Sequence, residues 1–170
     1  MRYGQEQLKI LTLMSVFLLP AFAYSQSSEV FTSFYEDFRN PAKKAAVIKK
    51  VRSYPDTVRK NALLGLKQNF NEFSKELPQR IDSVSVLTSV IVDQNSVIQD
   101  VMLSDEIIKD TKDNSSAFKA SISSFNTNQI CTSPRQLFIV LLGIDYTFRY
   151  YGEDGVLFYD ETITLNDCIA

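Results

Sequence analysis

The first half of the chain carries apolar residues at the three- and four-residue spacing of amphipathic helices. Pro41, Pro55 and Pro78 divide this stretch, and proline is accepted in the first turn of a helix but breaks its interior. The pattern therefore predicts three helices between residues 28 and 77. Their apolar positions are Val30, Phe31, Phe34, Tyr35 and Phe38, then Ala45, Ile48 and Val51, then Leu63, Leu66, Phe70, Phe73 and Leu77.

The apolar period changes to two in the second half of the chain. Alternation from Ser83 to Asp93 predicts a strand, residues 93–96 are typical of a turn, and residues 97–104 are predicted to return as a second strand. The alternation assigns two faces to the first of these strands. One face holds Val84, Val86, Thr88, Val90 and Val92, and the other holds Ser83, Ser85, Leu87, Ser89 and Ile91.

Helices return after this hairpin, and a second hairpin precedes the carboxyl terminus. The predicted order is a polar stretch (105–114), a helix carrying Phe118, Ile122, Phe125 and Ile130, a short helix (134–142), a strand (144–151), a turn (152–155) and a returning strand (156–164). This order predicts an α+β fold. N-terminal helices precede a ββαββ unit, which forms a small antiparallel sheet with helices on one face.

The amino-terminal residues have the three parts of a cleavable export signal. Arg2 and Lys9 supply positive charge, residues 10–19 form an apolar run, and Ala23 follows a small residue two positions earlier, as a signal peptidase requires. Cleavage is predicted after Ala23 or Ser25, which places the protein in the periplasm or outside the cell. A membrane anchor is disfavoured, because ten helical residues span roughly 15 Å, about half of a hydrocarbon core.

Charge divides the processed chain, residues 24–170, into two parts of one predicted domain. Residues 39–80 hold eleven Lys and Arg against three acids, a net charge of +8, whereas residues 81–170 hold five against thirteen, a net charge of −8. The helical part (29–77) is therefore basic and the ββαββ part (81–170) is acidic. The candidate interaction residues on the basic part are Lys43, Lys44, Lys49, Lys50 and Arg52.

These basic side chains have several interpretations. They fit an anionic membrane surface or an acidic protein partner, and they also fit a solvated helix face or a face packed against the acidic half of the same molecule. Nucleic acid is a poor fit for an exported chain with a net charge of −2.

The aromatic residues of the second hairpin offer another candidate surface. Tyr and Phe side chains that are exposed on a sheet anchor protein partners, whereas cross-strand aromatic pairs on one face stabilise the hairpin itself. Tyr151 and Tyr159 depart from the pattern of their apolar neighbours, and they are the candidate interaction residues of this hairpin.

Cys131 and Cys168 are the only cysteines of the chain. An even pair without metal-ligand spacing predicts a disulfide in an oxidising compartment, with two free thiols or a redox site as alternatives. Histidine is absent, which excludes Ser–His and Cys–His nucleophiles and histidine-ligated zinc or copper. The acids of the last hairpin lack the spacing of a calcium loop. No catalytic residue, cofactor, metal or small-molecule site is therefore predicted.

Residues 77–170 resemble a recurrent type of small exported protein of Gram-negative bacteria. The resemblance begins at Leu77-Pro78, Ile81-Asp82 and Leu87 and continues through Cys131, Gly143, Tyr146, Phe148, Tyr150, Tyr151, Gly155 and Cys168. It implies export and a helix followed by a disulfide-linked aromatic hairpin, and it implies no activity.

The sequence therefore predicts an exported, non-enzymatic protein that binds another protein. A peripheral envelope protein held to anionic lipid by its basic helices is the first alternative. An enzyme that uses carboxylates or a Ser/Lys pair is the second, less favoured alternative.

Overall fold

The computed structural model describes residues 27–110 and 115–169. The predicted export signal lies outside this part of the chain. The described chain begins with three helices, as the apolar spacing predicts: α1 (Ser27–Arg39), α2 (Pro41–Arg52) and α3 (Asp56–Phe73). Asn40 caps α2, because its side-chain oxygen accepts a hydrogen bond from the Ala42 backbone N–H at 3.0 Å. A single 3-10 turn (Ser74–Glu76) follows α3, so the third helix is shorter than predicted.

Five strands form one sheet in the order β1-β2-β3-β4-β5. Their bounds are β1 (Gln79–Arg80), β2 (Ser85–Val92), β3 (Ser96–Leu103), β4 (Asp145–Tyr151) and β5 (Leu157–Ile163). The α+β prediction is confirmed, with two differences. The two-residue edge strand β1 is an addition to the predicted hairpins. The central pair, β3 and β4, is parallel, because the helical connection between them brings the chain back to the same end of the sheet.

Four further helices are described: α4 (Asp105–Asp110), α5 (Ser115–Thr132), α6 (Pro134–Leu141) and α7 (Leu165–Ile169). The short helices α4 and α7 lie in segments predicted to be a polar stretch and a tail. The start of α7 is capped, because Asp167 accepts hydrogen bonds from the backbone N–H and the hydroxyl of Thr164 at 2.7 and 2.8 Å.

A bulge in β2 makes the predicted division of its faces wrong. The register against β3 shifts between Leu87 and Ser89, so one residue is extra on β2. The extra residue reverses the alternation beyond it. As a result Ser85, Leu87 and Val90 are buried together, although the sequence pattern places Val90 on the opposite face.

The helices cover one side of the sheet, which we call the inner face. Alternate residues of β3 and β4 are buried there, including Val97, Val101 and Phe148, together with Leu137 of α6 and Ile130 of α5. The predicted disulfide is confirmed: Cys131 at the end of α5 is bonded to Cys168 of α7, with their Cα atoms 5.2 Å apart. In the described ranges, no helix combines the length and apolarity needed to cross a bilayer.

Candidate functional site

The basic side chains of α2 divide into two groups. Lys43 bonds the Asp37 carboxylate at 2.6 Å, and Lys44 donates to the Ile169 carbonyl at 3.2 Å while its Nζ lies 5.2 Å from the centre of the Phe38 ring. The second group, Lys49, Lys50 and Arg52, occupies the last turn of α2 and is exposed. Within residues 27–110 and 115–169, no carboxylate lies at ion-pair distance from this second group.

Ion pairs do not join the basic and acidic halves in the described part of the chain. The recorded pairs are Lys43–Asp37, Lys75–Glu72, Lys109–Asp105 and Arg149–Asp100, and none of them connects residues 39–80 to residues 81–170. The polar contacts between the halves go to neutral groups instead. Besides Lys44, Arg59 donates to the Gln94 carbonyl at 3.4 Å and to the Asn95 side chain. The positive charge at the end of α2 is therefore not neutralised by these contacts.

A cleft of about 590 Å³, which we call the helical cleft, lies between α1 and α2. Its apolar lining comes from Phe34, Ala46, Val47, Val51 and Tyr54, and its charged lining comes from Asp37, Lys43 and Lys50. Val51 is buried, whereas Phe34, Val47 and Tyr54 are half-buried and so keep apolar surface in contact with solvent. This cleft thus combines apolar surface with the uncompensated charge of Lys50.

Phe138 of α6 fixes the aromatic residues of the helical cleft. Its ring centre lies 5.4 Å from that of Phe34 and 5.5 Å from that of Phe31, both in edge-to-face geometry. The ring centre of Tyr54 lies 6.5 Å from that of Phe138. Such pairs contribute about 0.5–1.5 kcal/mol beyond the area they bury, so the lining is held in place before any partner arrives.

A second cleft, the polar cleft, of about 420 Å³, shares Val51 and Tyr54 with the helical cleft. It is lined by Arg52, Asp56 and Arg59 on one side and by Leu142, Asp145 and Thr164 on the other. Burial raises the pKa of the Asp145 carboxyl, while Arg59 lowers that pKa and Asp167 raises it further. The polar cleft therefore carries two arginines and two acids, whereas in the helical cleft the one acid, Asp37, is paired with Lys43 and Lys50 is left over.

Gly143 shapes the wall of the polar cleft where α6 ends. Its φ of +79° lies in the left-handed region, which a glycine adopts without steric cost. The following residues enter β4, and the Asp145 backbone N–H donates to the Asn95 carbonyl at 2.8 Å. Arg59 bonds the same β2–β3 turn, so the turn, α3 and β4 are fixed relative to one another.

The two candidate tyrosines of the second hairpin lie on opposite sides of the sheet. Tyr159 is stacked on Tyr150 with ring centres 6.1 Å apart, and its hydroxyl donates to Glu161 at 3.1 Å. Burial raises the pKa of the Tyr159 phenol. Tyr151 alternates with the buried Tyr150 and is half-buried on the side away from the helices. The structure therefore does not bring either tyrosine to the clefts.

Three of the acids of the last hairpin, Glu153, Asp154 and Glu161, make hydrogen bonds within the fold. Asp154 accepts from the Val156 backbone N–H at 2.9 Å, and Glu153 accepts from the Asp105 backbone N–H at 3.3 Å. Glu161 accepts from Asn126 and from Tyr159. In the described ranges, no group of three or more acidic or cysteine side chains could hold a metal ion.

Of the predicted basic residues, Lys43 and Lys50 line the helical cleft and Arg52 lines the polar cleft. The apolar lining was not predicted as a site, because Phe34 is predicted as a core position at helical spacing and the pattern assigns no role to Val47 or Tyr54. A helical period identifies which side chains face inward, and it carries no signal of where two helices leave a gap.

No protein-family model and no curated protein matches this chain. Solved structures share its fold. One is a Pseudomonas aeruginosa protein described as secreted, with a TM-score of 0.53 and 13% identity over 66% of this chain and 95% of that chain. The pilotin EpsS of the Vibrio vulnificus type 2 secretion system has a TM-score of 0.53 and 15% identity over 66% and 96%. The Vibrio cholerae pilotin AspS gives 0.47 and 17% over 65% and 94%. At these identities the likeness shows the fold alone.

Proposed function

We propose that this chain is an exported, non-enzymatic protein that binds a segment of another envelope protein in the helical cleft. The observation that carries the proposal is the combination of half-buried apolar lining at Phe34, Val47 and Tyr54 with the unneutralised charge of Lys50. The partner segment is accordingly one that presents apolar side chains together with Asp or Glu, because both surfaces are then complementary.

The fold supports an envelope role. The V. vulnificus structure that shares this fold is a pilotin of a type 2 secretion system, and the P. aeruginosa structure is described as a secreted protein. Both agree with the export signal predicted at residues 1–23 and with the disulfide between Cys131 and Cys168. We propose that the processed protein works in the periplasm or outside the cell. The resemblance to a recurrent type of exported protein stays a prediction.

Site-specific photocrosslinking tests the cleft directly. Ala46 lines the helical cleft and is exposed, so a photoreactive residue placed there should crosslink to one protein partner in intact cells. Leu64 of α3 is 56% exposed and lies outside both clefts, which makes it the matched control position. Crosslinking at Ala46 no stronger than at Leu64 would contradict the proposal.

The affinity for the identified partner then tests the chemistry. The changes Val47→Asp and Lys50→Glu should each weaken binding about tenfold or more, a loss of about 1.4 kcal/mol per tenfold. Lys67→Glu makes the same charge reversal at an exposed position of α3 that lies outside both clefts, and it should leave the affinity unchanged. Equal affinities for all three variants would place the binding site elsewhere.

One observation favours a second candidate, a peripheral attachment to anionic lipid. Lys49, Lys50 and Arg52 are exposed together, and no described carboxylate pairs with them. The test is binding to anionic vesicles at about 0.15 M salt, where charges more than about 8 Å apart are largely screened. Tight binding that is lost when the five basic residues of α2 become Gln would support the lipid alternative, and absence of binding would leave the protein partner.

A further inference from the structure

The side of the sheet that faces away from the helices, which we call the outer face, is rich in apolar residues. Strand register groups its side chains into three rows across the sheet. The first row is Val86, Met102, Tyr151 and Leu157; the second is Ser89, Asp100, Arg149 and Asp160; the third is Ile91, Ile98, Thr147 and Thr162. An open sheet face normally alternates to polar residues, so the first and third rows require an explanation.

No described element covers these rows. Leu157 is 48% exposed and Ile91 is 47% exposed, which are high values for large apolar side chains in strands. Val86, Met102 and Tyr151 are half-buried, and none of them belongs to the cluster of apolar residues that packs against the core. The inner face of the same strands is completely covered, as Val97 and Phe148 are 0% and 2% exposed.

The middle row carries charges of alternating sign. Arg149 on β4 binds Asp100 on β3 through two hydrogen bonds, from Nε at 2.6 Å and from an Nη atom at 3.0 Å. On the other side of Arg149, the register places Asp160 of β5 directly opposite. Asp160 is exposed, and its carboxylate takes part in no ion pair within residues 27–110 and 115–169. The charges along this row are therefore negative, positive and negative, and the last of them, on Asp160, is unpaired.

We infer that the outer face is a self-association surface that takes a second copy of this chain. A twofold axis running along the strands between β4 and β5 sets Arg149 against Asp160 of the second copy, and the reverse pair forms by symmetry. The same axis places Tyr151 against Leu157 of the second copy. The two copies then overlap at β4 and β5, the edge pair of the sheet, where Thr147 also meets Thr162 of the second copy and each unpaired Asp160 carboxylate gains a guanidinium.

Charge complementarity is the reason for choosing a second copy as the occupant. The axis brings each outer-face residue of β4 against its β5 neighbour in the second copy, and the one charged pair that meets, Arg149 and Asp160, is opposite in sign. A twisted sheet also packs well on a copy of itself, with the strands of the two sheets within about 30° of each other. The clefts lie among the helices on the other side of the sheet, so the second copy leaves them open.

Sedimentation of the processed protein over micromolar to millimolar concentrations tests this inference. The expected result is a concentration-dependent species of twice the monomer mass. Leu157→Asp should abolish it, whereas Leu64→Asp, at the exposed residue of α3, should not. A monomer at every concentration would overturn the inference, as would a dimer that persists with Leu157→Asp.

A charge exchange tests the predicted contact. Asp160→Arg sets two positive charges against each other across the axis and Arg149→Asp sets two negative charges, so each variant alone should be monomeric. Their equimolar mixture should form a heterodimer, because the pairs between copies are then again opposite in sign. A mixture that stays monomeric would refute the axis. If Arg149→Asp does not fold, as circular dichroism would show, loss of the dimer with Asp160→Arg decides the test, since that residue is exposed.

Discussion

The helical cleft and the outer face are two surfaces on which apolar side chains remain in contact with solvent, and they are built in different ways. In the cleft, side chains are positioned by packing between helices, since Phe34 and Tyr54 are held by the ring of Phe138. On the outer face, side chains are positioned by strand register and, at Arg149, by its two hydrogen bonds to Asp100. The cleft is concave and carries unneutralised positive charge, whereas the outer face carries both signs in one row. The first suits a different molecule and the second suits a copy of itself.

The largest expected effect tests the part of the fold that supports both surfaces. Phe148 is 2% exposed on the inner face of β4, below the helices. Phe148→Ala should lower the free energy of unfolding by about 3–5 kcal/mol, because the buried ring leaves a cavity. Tyr151→Ala, three residues along the same strand on the outer face, should cost the monomer much less. Urea unfolding measured at a concentration below self-association compares the two, and equal losses would mean that the outer face is covered.

Periodicity in the sequence predicts most of the elements that carry these surfaces. The three N-terminal helices, the two hairpins and the disulfide follow from local spacing, proline positions and cysteine count. The parallel pairing of β3 with β4 does not, because strand order depends on where the helical connection leads the chain. The bulge at Thr88 is also invisible in the sequence pattern, because the alternation of residues in β2 does not mark which of them is left unpaired.

The sites were less predictable than the elements. The charge asymmetry identifies Lys50 and Arg52 as candidates, and both line clefts. The same argument gives no warning that Lys43 is paired with Asp37 or that Lys44 is directed to the Ile169 carbonyl. Those contacts depend on the angle between α1 and α2 and on the position of α7, which tertiary packing sets.

Removal of the disulfide should have the next largest effect on stability, and it should affect the helical cleft but not the outer face. Replacing Cys131 and Cys168 with Ala should lower the free energy of unfolding by about 3–4 kcal/mol, according to the chain-entropy relation for a loop of this size. The helix α7 has only five residues, and so short a helix does not persist without its attachment. The Lys44 contact to the Ile169 carbonyl should be lost with it.

Hydrogen exchange shows which elements lose stability when the disulfide is removed. Amides of α7 and of the adjoining end of α2 should exchange faster, whereas β4 and β5 should change only as much as global stability requires. Self-association should therefore survive the change, and partner binding in the helical cleft should weaken. Equal extra exchange in α7 and β4 would show that the two surfaces are not separable.

A matched pair of glycines gives a smaller and more local comparison. Gly143 ends α6 at the polar cleft with a φ of +79°, and Gly155 lies in the β4–β5 turn with a φ of +76°. An added methyl group meets no atom closer than 4.0 Å at either position, so the cost of alanine is the backbone strain alone. Each change should destabilise the protein by roughly 1–2 kcal/mol. Gly143→Ala should then disturb the polar cleft, and Gly155→Ala should disturb self-association. The opposite assignment would contradict the comparison.

The smallest effect concerns the pH dependence of the polar cleft. Burial raises the pKa of Asp145 above its ordinary value of 3.8. A carboxyl whose pKa is higher in the folded state than in the unfolded state favours folding when it is protonated. Its favourable contribution is fully present below about pH 4 and is lost as the pH rises through the folded-state pKa. Above that range the charged Asp145 is held at an unfavourable, partly desolvated position.

Asp145→Asn should therefore make the protein slightly more stable than the wild type at pH 7, and the difference should disappear near pH 3. Urea unfolding of both proteins at the two pH values measures this. Glu76→Gln, at an exposed position outside both clefts and the outer face, is the control and should show no such gain. A loss of stability with Asp145→Asn at pH 7 would mean that attraction to Arg59 outweighs burial, and the polar cleft would then be held together by charge.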